Sequence, residues 1–268
     1  MMTAIDHLVE QLALNGAAIL PDALPRLAVE QLAAELDEVY RRQCDEVGGE
    51  ALLRELGDAD IARCPLAYHD AFLQLAQHPA ITGVARRLLG EHVVLLMQNG
   101  IVNRPGEPHA QTRWHRDLNH QYWVSSAPFA LSALVCLDDF TAENGATLFL
   151  PGSHLAAQFP PADTVDRSAT TVTAAAGSII FMNAMTFHRA GTNRSAGLRR
   201  AVNHVIGVPI LAQAIDLPAA LARRPPDDPW LAAYLGYRWN PAPDAREWRL
   251  RKRRERKPCH TSGAHISK

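Results

Sequence analysis

The chain has 268 residues, of which 47% are hydrophobic and 21% charged, with a formal net charge of −1. That length can bury a large core in one domain as readily as in two, and the near-neutral balance argues against a surface directed generally at nucleic acid. The cysteines Cys44, Cys64, Cys136 and Cys259 are scattered and form no Cys-x-x-Cys pair, which reads against a structural zinc site and a secreted disulfide scaffold.

Residues 1–12 carry Asp6 and Glu10 and lack a basic segment followed by an apolar one, so no signal peptide is expected. No stretch approaches the roughly twenty apolar residues of a membrane span, and a cytoplasmic protein with no membrane partner is expected. Residues 15–20 form a short apolar strand closed by Pro21-Asp22. Pro25 then suits a first helical turn, and Leu32, Leu36, Val39 and Tyr40 recur at helical spacing up to Arg42. Further helices are predicted over 52–56, 70–77 and 80–89, with Gly90 ending the last, so the N-terminal third is mostly helical.

Composition changes near His92. Residues 93–97 are β-rich, and Ile101-Val102 continues the strand before the Arg104-Pro105-Gly106-Glu107-Pro108 turn. Strands are predicted over 112–117, 129–137, 147–150, 170–173, 178–183 and 199–208. Short strands so spaced, without βαβ alternation, predict a mainly β protein with flanking helices, a double-sheet jelly roll of the double-stranded β-helix, cupin-like kind. One domain over 1–245 is expected, its jelly-roll core at about 92–209, followed by a basic tail over 246–268.

His115 and Asp117 lie two apart on one of these segments and emerge on one face if it is extended. An imidazole and a carboxylate so placed can grip one metal ion, and a second histidine from far along the chain would complete a one-sided set with open positions opposite. His188 is the best candidate, although by itself it reads more readily as a hydrogen-bonded core or surface histidine.

Taken in order, His115-x-Asp117, the run Glu143-Asn144-Gly145 through Pro151-Gly152-Ser153-His154, Ala176-Gly177-Ser178-Ile179-Ile180-Phe181, His188, Asn193 and Arg199 resemble the phytanoyl-CoA dioxygenase family of iron(II)- and 2-oxoglutarate-dependent oxygenases. The resemblance covers about 95–208 and, more faintly, 15–40. It implies Fe(II) held by His115, Asp117 and His188, with 2-oxoglutarate and O2 as cosubstrates and succinate and CO2 as products. It also implies that Arg199, eleven residues after His188, pairs with the far carboxylate of 2-oxoglutarate, for which a guanidinium fork is suited. On a strand Arg199, Ala201, Asn203 and Val205 share one face and Arg200 the other, so only one arginine points inward; the family spacing selects Arg199.

Gln98 stands where some members place a glutamine near the cosubstrate, or it is an ordinary strand-edge residue. Many relatives have serine or glycine two residues after the second histidine, and here that position is Ala190. Thr147 and Ser132 are then candidates for the missing hydrogen bond. Asn119, His120, Tyr122 and Trp123 follow the first ligands and either line the substrate pocket or belong to a packed loop. Residues 246–257 are rich in Arg and Lys and could anchor a phosphorylated substrate, with a solvated terminal helix or tail the favoured reading.

The carboxylate ligand is retained where halogenating relatives have a small residue. Hydroxylation of a small metabolite or natural-product intermediate is therefore expected, with desaturation or oxidative cyclisation as alternatives on the same ligands. A zinc hydrolase or a non-catalytic jelly-roll binding protein would use the same three residues but give Arg199 no role.

Overall fold

The computed structural model describes residues 2–106, 110–118, 123–222 and 225–255. The helical N-terminal part comprises α1 (Ala4–Asn15), β1 (Ala17–Leu20), α2 (Arg26–Val47), α3 (Glu50–Glu55), β2 (Ile61–Arg63), α4 (Asp70–Ala76) and α5 (Pro79–Leu89). The β-rich part follows as β3 (Val94–Asn103), β4 (Ala130–Cys136), β5 (Leu148–Phe149), a short α6 (Ala162–Ser168), β6 (Thr170–Thr171), β7 (Ile179–Asn183), β8 (His188–Arg189) and β9 (Arg199–Gly207). The chain continues into α7 (Leu217–Leu221), α8 (Pro229–Tyr234) and α9 (Ala245–Glu255). No helix among the described residues is long and apolar enough to cross a membrane.

The sequence reading missed α1, although its start is written locally. Thr3 and Asp6 form a reciprocal capping box, and Gly16 closes the helix in the left-handed region at φ 83°. The strands β2 and β8 and the helix α6 were also not expected, being too short to show a period. The segment 112–117, expected as a strand, is a turn of 3-10 helix at Ala110–Thr112 followed by a single bridge at His115. Asp117 N–H does not extend that pairing; it donates to Ala184 O (3.1 Å), because the chain swings toward the turn after β7.

Two sheets form the jelly roll. The larger has the order β1-β7-β4-β9-β3-β2, and the smaller β6-β5-β8, with antiparallel pairing throughout. Register partners share a face of the sheet. The row Ser132, Leu134 and Cys136 on β4 therefore lies beside Val205, Asn203 and Ala201 on β9. Leu134, Cys136 and Ala201 pack with Ile101, Ile180, Met182, Phe140 and Phe149 in the interior between the sheets. On the opposite face Leu131, Ala133, Val135, Val202 and Ile206 pack against Leu32, Leu36, Phe72, Ile81 and Val84 of the helices. Every residue of β4 is buried, since both faces are covered.

The C-terminal part returns onto this helical layer. Tyr234 is fully buried and donates to Ala76 O (3.0 Å), and Trp230 stacks on it with ring centroids 5.0 Å apart. The helix α9 carries the basic residues expected there and is tied to the chain by Arg251 Nη1 donating to Asn240 O (2.7 Å).

Candidate metal and cosubstrate site

His115 and His188 meet although they are far apart in sequence. Each backbone N–H donates to the other's carbonyl at 3.0 Å, and the ring centroids are 4.4 Å apart. Asp117 joins them, with Oδ1 3.6 Å from His188 Nε2. One donor atom from each residue lies within 4.8 Å of the others, and this is the single such group of three found among the described residues.

The tautomers follow from the backbone. His115 Nδ1 lies 2.8 Å from Arg113 O and His188 Nδ1 lies 3.0 Å from Thr186 O. A carbonyl only accepts, so Nδ1 carries the proton in each ring and Nε2 keeps its lone pair for a metal. Burial, and then the neighbouring His188, hold the His115 pKa below the ordinary histidine value, which favours the neutral form that a ligand requires.

The supporting shell explains the Pro151-Gly152-Ser153-His154 run. Gly152 N–H donates to Asn15 O (2.9 Å), and His154 Nε2 lies 3.2 Å from Ala13 O. The turn thus rests on the end of α1, and His154 supports it while lying outside the His115, Asp117 and His188 group. Ser153 Oγ accepts from Phe187 N–H at 2.9 Å, next to His188. Arg116, between His115 and Asp117, is buried, and its guanidinium donates to the carbonyls of Met185 (2.8 Å), Ser153 (3.1 Å), Ala157 (3.1 Å) and Ala156. It also lies 3.8 Å from the centroid of the Phe187 ring. One side chain therefore ties the segments at 115–117, 153–157 and 185 together behind the candidate ligand set.

Arg199 and Arg200 divide as strand parity requires. Arg200 faces outward and pairs with Asp138 (2.9 Å) and Asp37 (2.8 Å). Arg199 faces inward at 2% exposure, over the Phe140 ring at 4.4 Å, and its Nε has no hydrogen-bond partner among the described residues. Burial pushes its pKa down to about 10, which leaves it cationic at neutral pH. A buried guanidinium without an anion is costly. It lines a cleft with Thr147, His188, Ala190, Asn203 and Gln111. The enclosed space is about 20 Å³, room for roughly one water. A larger cavity of about 480 Å³ between α2 and β2 lacks a convergent ligand set, and the donor geometry therefore defines the site.

Two expectations are corrected. Gln98 is not at the cosubstrate cleft: its Nε2 donates to Phe72 O (2.8 Å) and lies 2.8 Å from His204 Nε2. Gln98 and His204 are register partners on the helix-covered face of the sheet, one residue out of phase with Asn99 and Asn203, and a strand side chain cannot cross its own sheet. Ser132 does not serve the cleft near Arg199; its hydroxyl donates to Asp117 Oδ2. Thr147 is buried and lines the cleft. Trp123 is 53% exposed and packs edge-on against Phe129 at 4.8 Å, outside the cleft lining. Asn119, His120 and Tyr122 lie outside the described residues. Asn203 was missed as a cleft residue, although its place on the Arg199 face was legible; its Oδ1 is buried with no partner among the described residues.

A jelly roll with a one-sided His/Asp/His set and an unpaired inward arginine suits iron and 2-oxoglutarate, because three nitrogen and oxygen donors can face a metal while a buried cation awaits a carboxylate. The class is that of the non-haem dioxygenases that use Fe(II), 2-oxoglutarate and O2. Residues 12–201 match the phytanoyl-CoA dioxygenase (PhyH) family model, and the chain belongs to that family. It is 30% identical over 227 residues to the uncharacterised protein Rv1501 of Mycobacterium tuberculosis, covering 82% of this chain and 81% of that one. Among solved structures it resembles SnoN, a non-haem α-ketoglutarate-dependent epimerase from nogalamycin biosynthesis. There the TM-score is 0.58 and the identity 26%, over 77% of this chain and 83% of that one. The fold is also that of the carbocyclase SnoK from nogalamycin biosynthesis, with a TM-score of 0.60 and 24% identity over 76% of this chain and 83% of that one.

Proposed function

We propose that the chain is a hydroxylase of a small, largely apolar metabolite, with His115, Asp117 and His188 as the iron ligands and Arg199 as the partner of the far carboxylate of 2-oxoglutarate. The observation that carries this reading is the buried Arg199 guanidinium, without an anion among the described residues, in the cleft that His188 also lines. When bound, iron and 2-oxoglutarate supply oxygen activation coupled to oxidative decarboxylation of the cosubstrate. The residues of the chain do the rest. Each His Nδ1–H is held by a carbonyl so that Nε2 points at the metal position, and Phe140 and the inner aliphatic side chains exclude water around Arg199. Thr147 and Asn203 line the cleft with Ala190 and Arg199 and are the proposed sources of the hydrogen bond that a hydroxyl at position 190 would supply.

The substrate class is inferred from the wall beside Asp117. Leu118 packs with Met97, Leu211 and Trp239 against Val94, Leu96, Ala130, Ala184 and Val205. Val205 is the register partner of Ser132, whose hydroxyl touches Asp117, so this apolar surface begins at the proposed metal position. It favours a neutral carbon skeleton over an acyl-CoA, and Asn119, His120 and Tyr122 are proposed as substrate-binding residues. Retention of Asp117 favours hydroxylation. The likeness to an epimerase supports a second reading, in which hydrogen abstraction on the same ligands ends in rearrangement or cyclisation.

Anaerobic addition of Fe(II) and 2-oxoglutarate tests the reading. A weak visible charge-transfer band is expected, with succinate formed when air is admitted, and a product heavier by one oxygen atom in a screen of apolar metabolites. Absence of both band and succinate would sink the proposal. An isobaric product, or one lighter by two hydrogens, would replace hydroxylation with the second reading.

A further inference from the structure

The two carboxylate oxygens of Asp117 have different partners. Oδ1 faces His188 Nε2 at 3.6 Å, whereas Oδ2 accepts the Ser132 hydroxyl. Ser132 is fully buried on β4, with Met182 of β7 on one side and Val205 of β9 on the other. Strand β4 lies inside the larger sheet, so the Ser132 Cβ cannot drift without moving two neighbouring strands. Its hydroxyl has no other hydrogen bond among the described residues. The geometry is that of a fixed donor reserved for one oxygen of one ligand.

We propose that Ser132 is a positioning residue that limits Asp117 to a one-oxygen grip on the metal and so keeps a coordination position free for a cosubstrate. This rests on the reading of His115, Asp117 and His188 as ligands. A carboxylate binds a metal through one oxygen or through both, and a three-residue facial set works only while its remaining positions are open. Rotation of Asp117 to offer both oxygens would break the Ser132 hydrogen bond and strand a fully buried hydroxyl, at a cost typical of an unsatisfied buried group. Removing the hydroxyl removes that obstacle. The pairing also fixes the carboxylate plane relative to the two imidazoles, as hydrogen bonds behind metal ligands generally do.

The test uses the full chain loaded anaerobically with Co(II), whose visible absorption reports coordination number. Wild type and Ser132→Thr, which keeps the hydroxyl, are expected to give the same spectrum and the same response to 2-oxoglutarate. Ser132→Ala is expected to fold, to retain Co(II), and to show a changed spectrum with a diminished response to 2-oxoglutarate. A Ser132→Ala spectrum identical to wild type would overturn the proposal, as would a Ser132→Thr spectrum altered like that of Ser132→Ala. A crystal structure of the wild-type protein with Co(II) is a second measurement, independent of how the variants fold. Asp117 bound through one oxygen with Oδ2 on Ser132 supports the proposal, and both oxygens on the metal refutes it. Failure of the wild-type protein to bind Co(II) would overturn the ligand assignment itself, and is distinguished by appearing without any substitution.

Discussion

His115 and His188 are directly opposed across one antiparallel bridge, each donating its backbone N–H to the other's carbonyl at 3.0 Å. Opposed residues in such a pair present their side chains to the same face. The two imidazoles are therefore brought together by backbone pairing, before any metal contributes. Replacing either histidine should leave the bridge and the fold in place while removing one donor. His115→Ala and His188→Ala are each expected to weaken Fe(II) or Co(II) binding by more than the roughly 10- to 100-fold typical of residues behind the ligands. Equilibrium dialysis measures this, and an unchanged far-ultraviolet circular dichroism spectrum would show that the loss is local.

Arg199 should govern the cosubstrate and spare the metal. Loss of a charge-assisted, forked hydrogen bond of about 1.5–3 kcal/mol corresponds to roughly 10- to 150-fold in affinity. Arg199→Ala is expected to raise the 2-oxoglutarate requirement by that amount with Co(II) binding unchanged, read by titrating 2-oxoglutarate against the metal-loaded protein. Arg199→Lys should recover only part of it, because an ammonium lacks the planar fork. Equal metal loss in Arg199→Ala and His115→Ala would undo the division of roles.

Arg116 makes a prediction about stability. Its guanidinium serves the carbonyls of Ser153, Ala156, Ala157 and Met185, and no carboxylate pairs with it among the described residues. Arg116→Met keeps much of the volume over Phe187 but leaves buried acceptors without donors, at a cost of about 3 kcal/mol. A fall in Tm of roughly 5–12 °C follows for a chain of this size, together with weaker metal binding, because the tie between the two ligand segments is lost. A Tm within a degree of wild type would show that water replaces the guanidinium at no cost.

His204 sets an acid limit. It is completely buried beside Gln98, and burial pushes its pKa down to about 4 from the ordinary 6.5. Between those values the unfolded chain binds a proton that the folded chain refuses, so stability rises with pH across this window. Going down, stability is intact above about pH 6.5 and is lost progressively toward pH 4, by about 3 kcal/mol if His204 acts alone. Burial lowers the pKa values of His78, His115 and His154 too, with the same sign. Urea midpoints at pH 7.5 and pH 5 measure the loss, and His204→Gln should flatten the pH dependence whatever its effect on stability at pH 7.5.

Some of this was written in local sequence. Apolar runs bounded by Gly, Pro and Asn placed most strands, helical spacing placed α2, α4 and α5, and the ordered motifs from His115 to Arg199 carried the family. Parity on β9 allowed one inward arginine, and the structure puts Arg199 inside and Arg200 on Asp138 and Asp37. The same parity already put Asn203 on the Arg199 face, a signal available but unused.

What only the tertiary structure decided is how distant segments are set in register, because strand side chains alternate and a shift of one residue sends them to the other face. Gln98 sits one residue away from the inner row and therefore bonds to Phe72 and His204 behind the sheet. Ser132 is in sequence only a candidate for the hydrogen bond missing at Ala190; that its hydroxyl serves Asp117 instead depends on where the loop after β3 returns. Arg116 reads locally as the residue facing away from the metal. Its burial under four carbonyls comes from the later Ser153 and Met185 segments folding over it. The sequence thus determined the donor types and the reaction class they serve, while the pairing of β8 with the His115 segment decided that those donors meet.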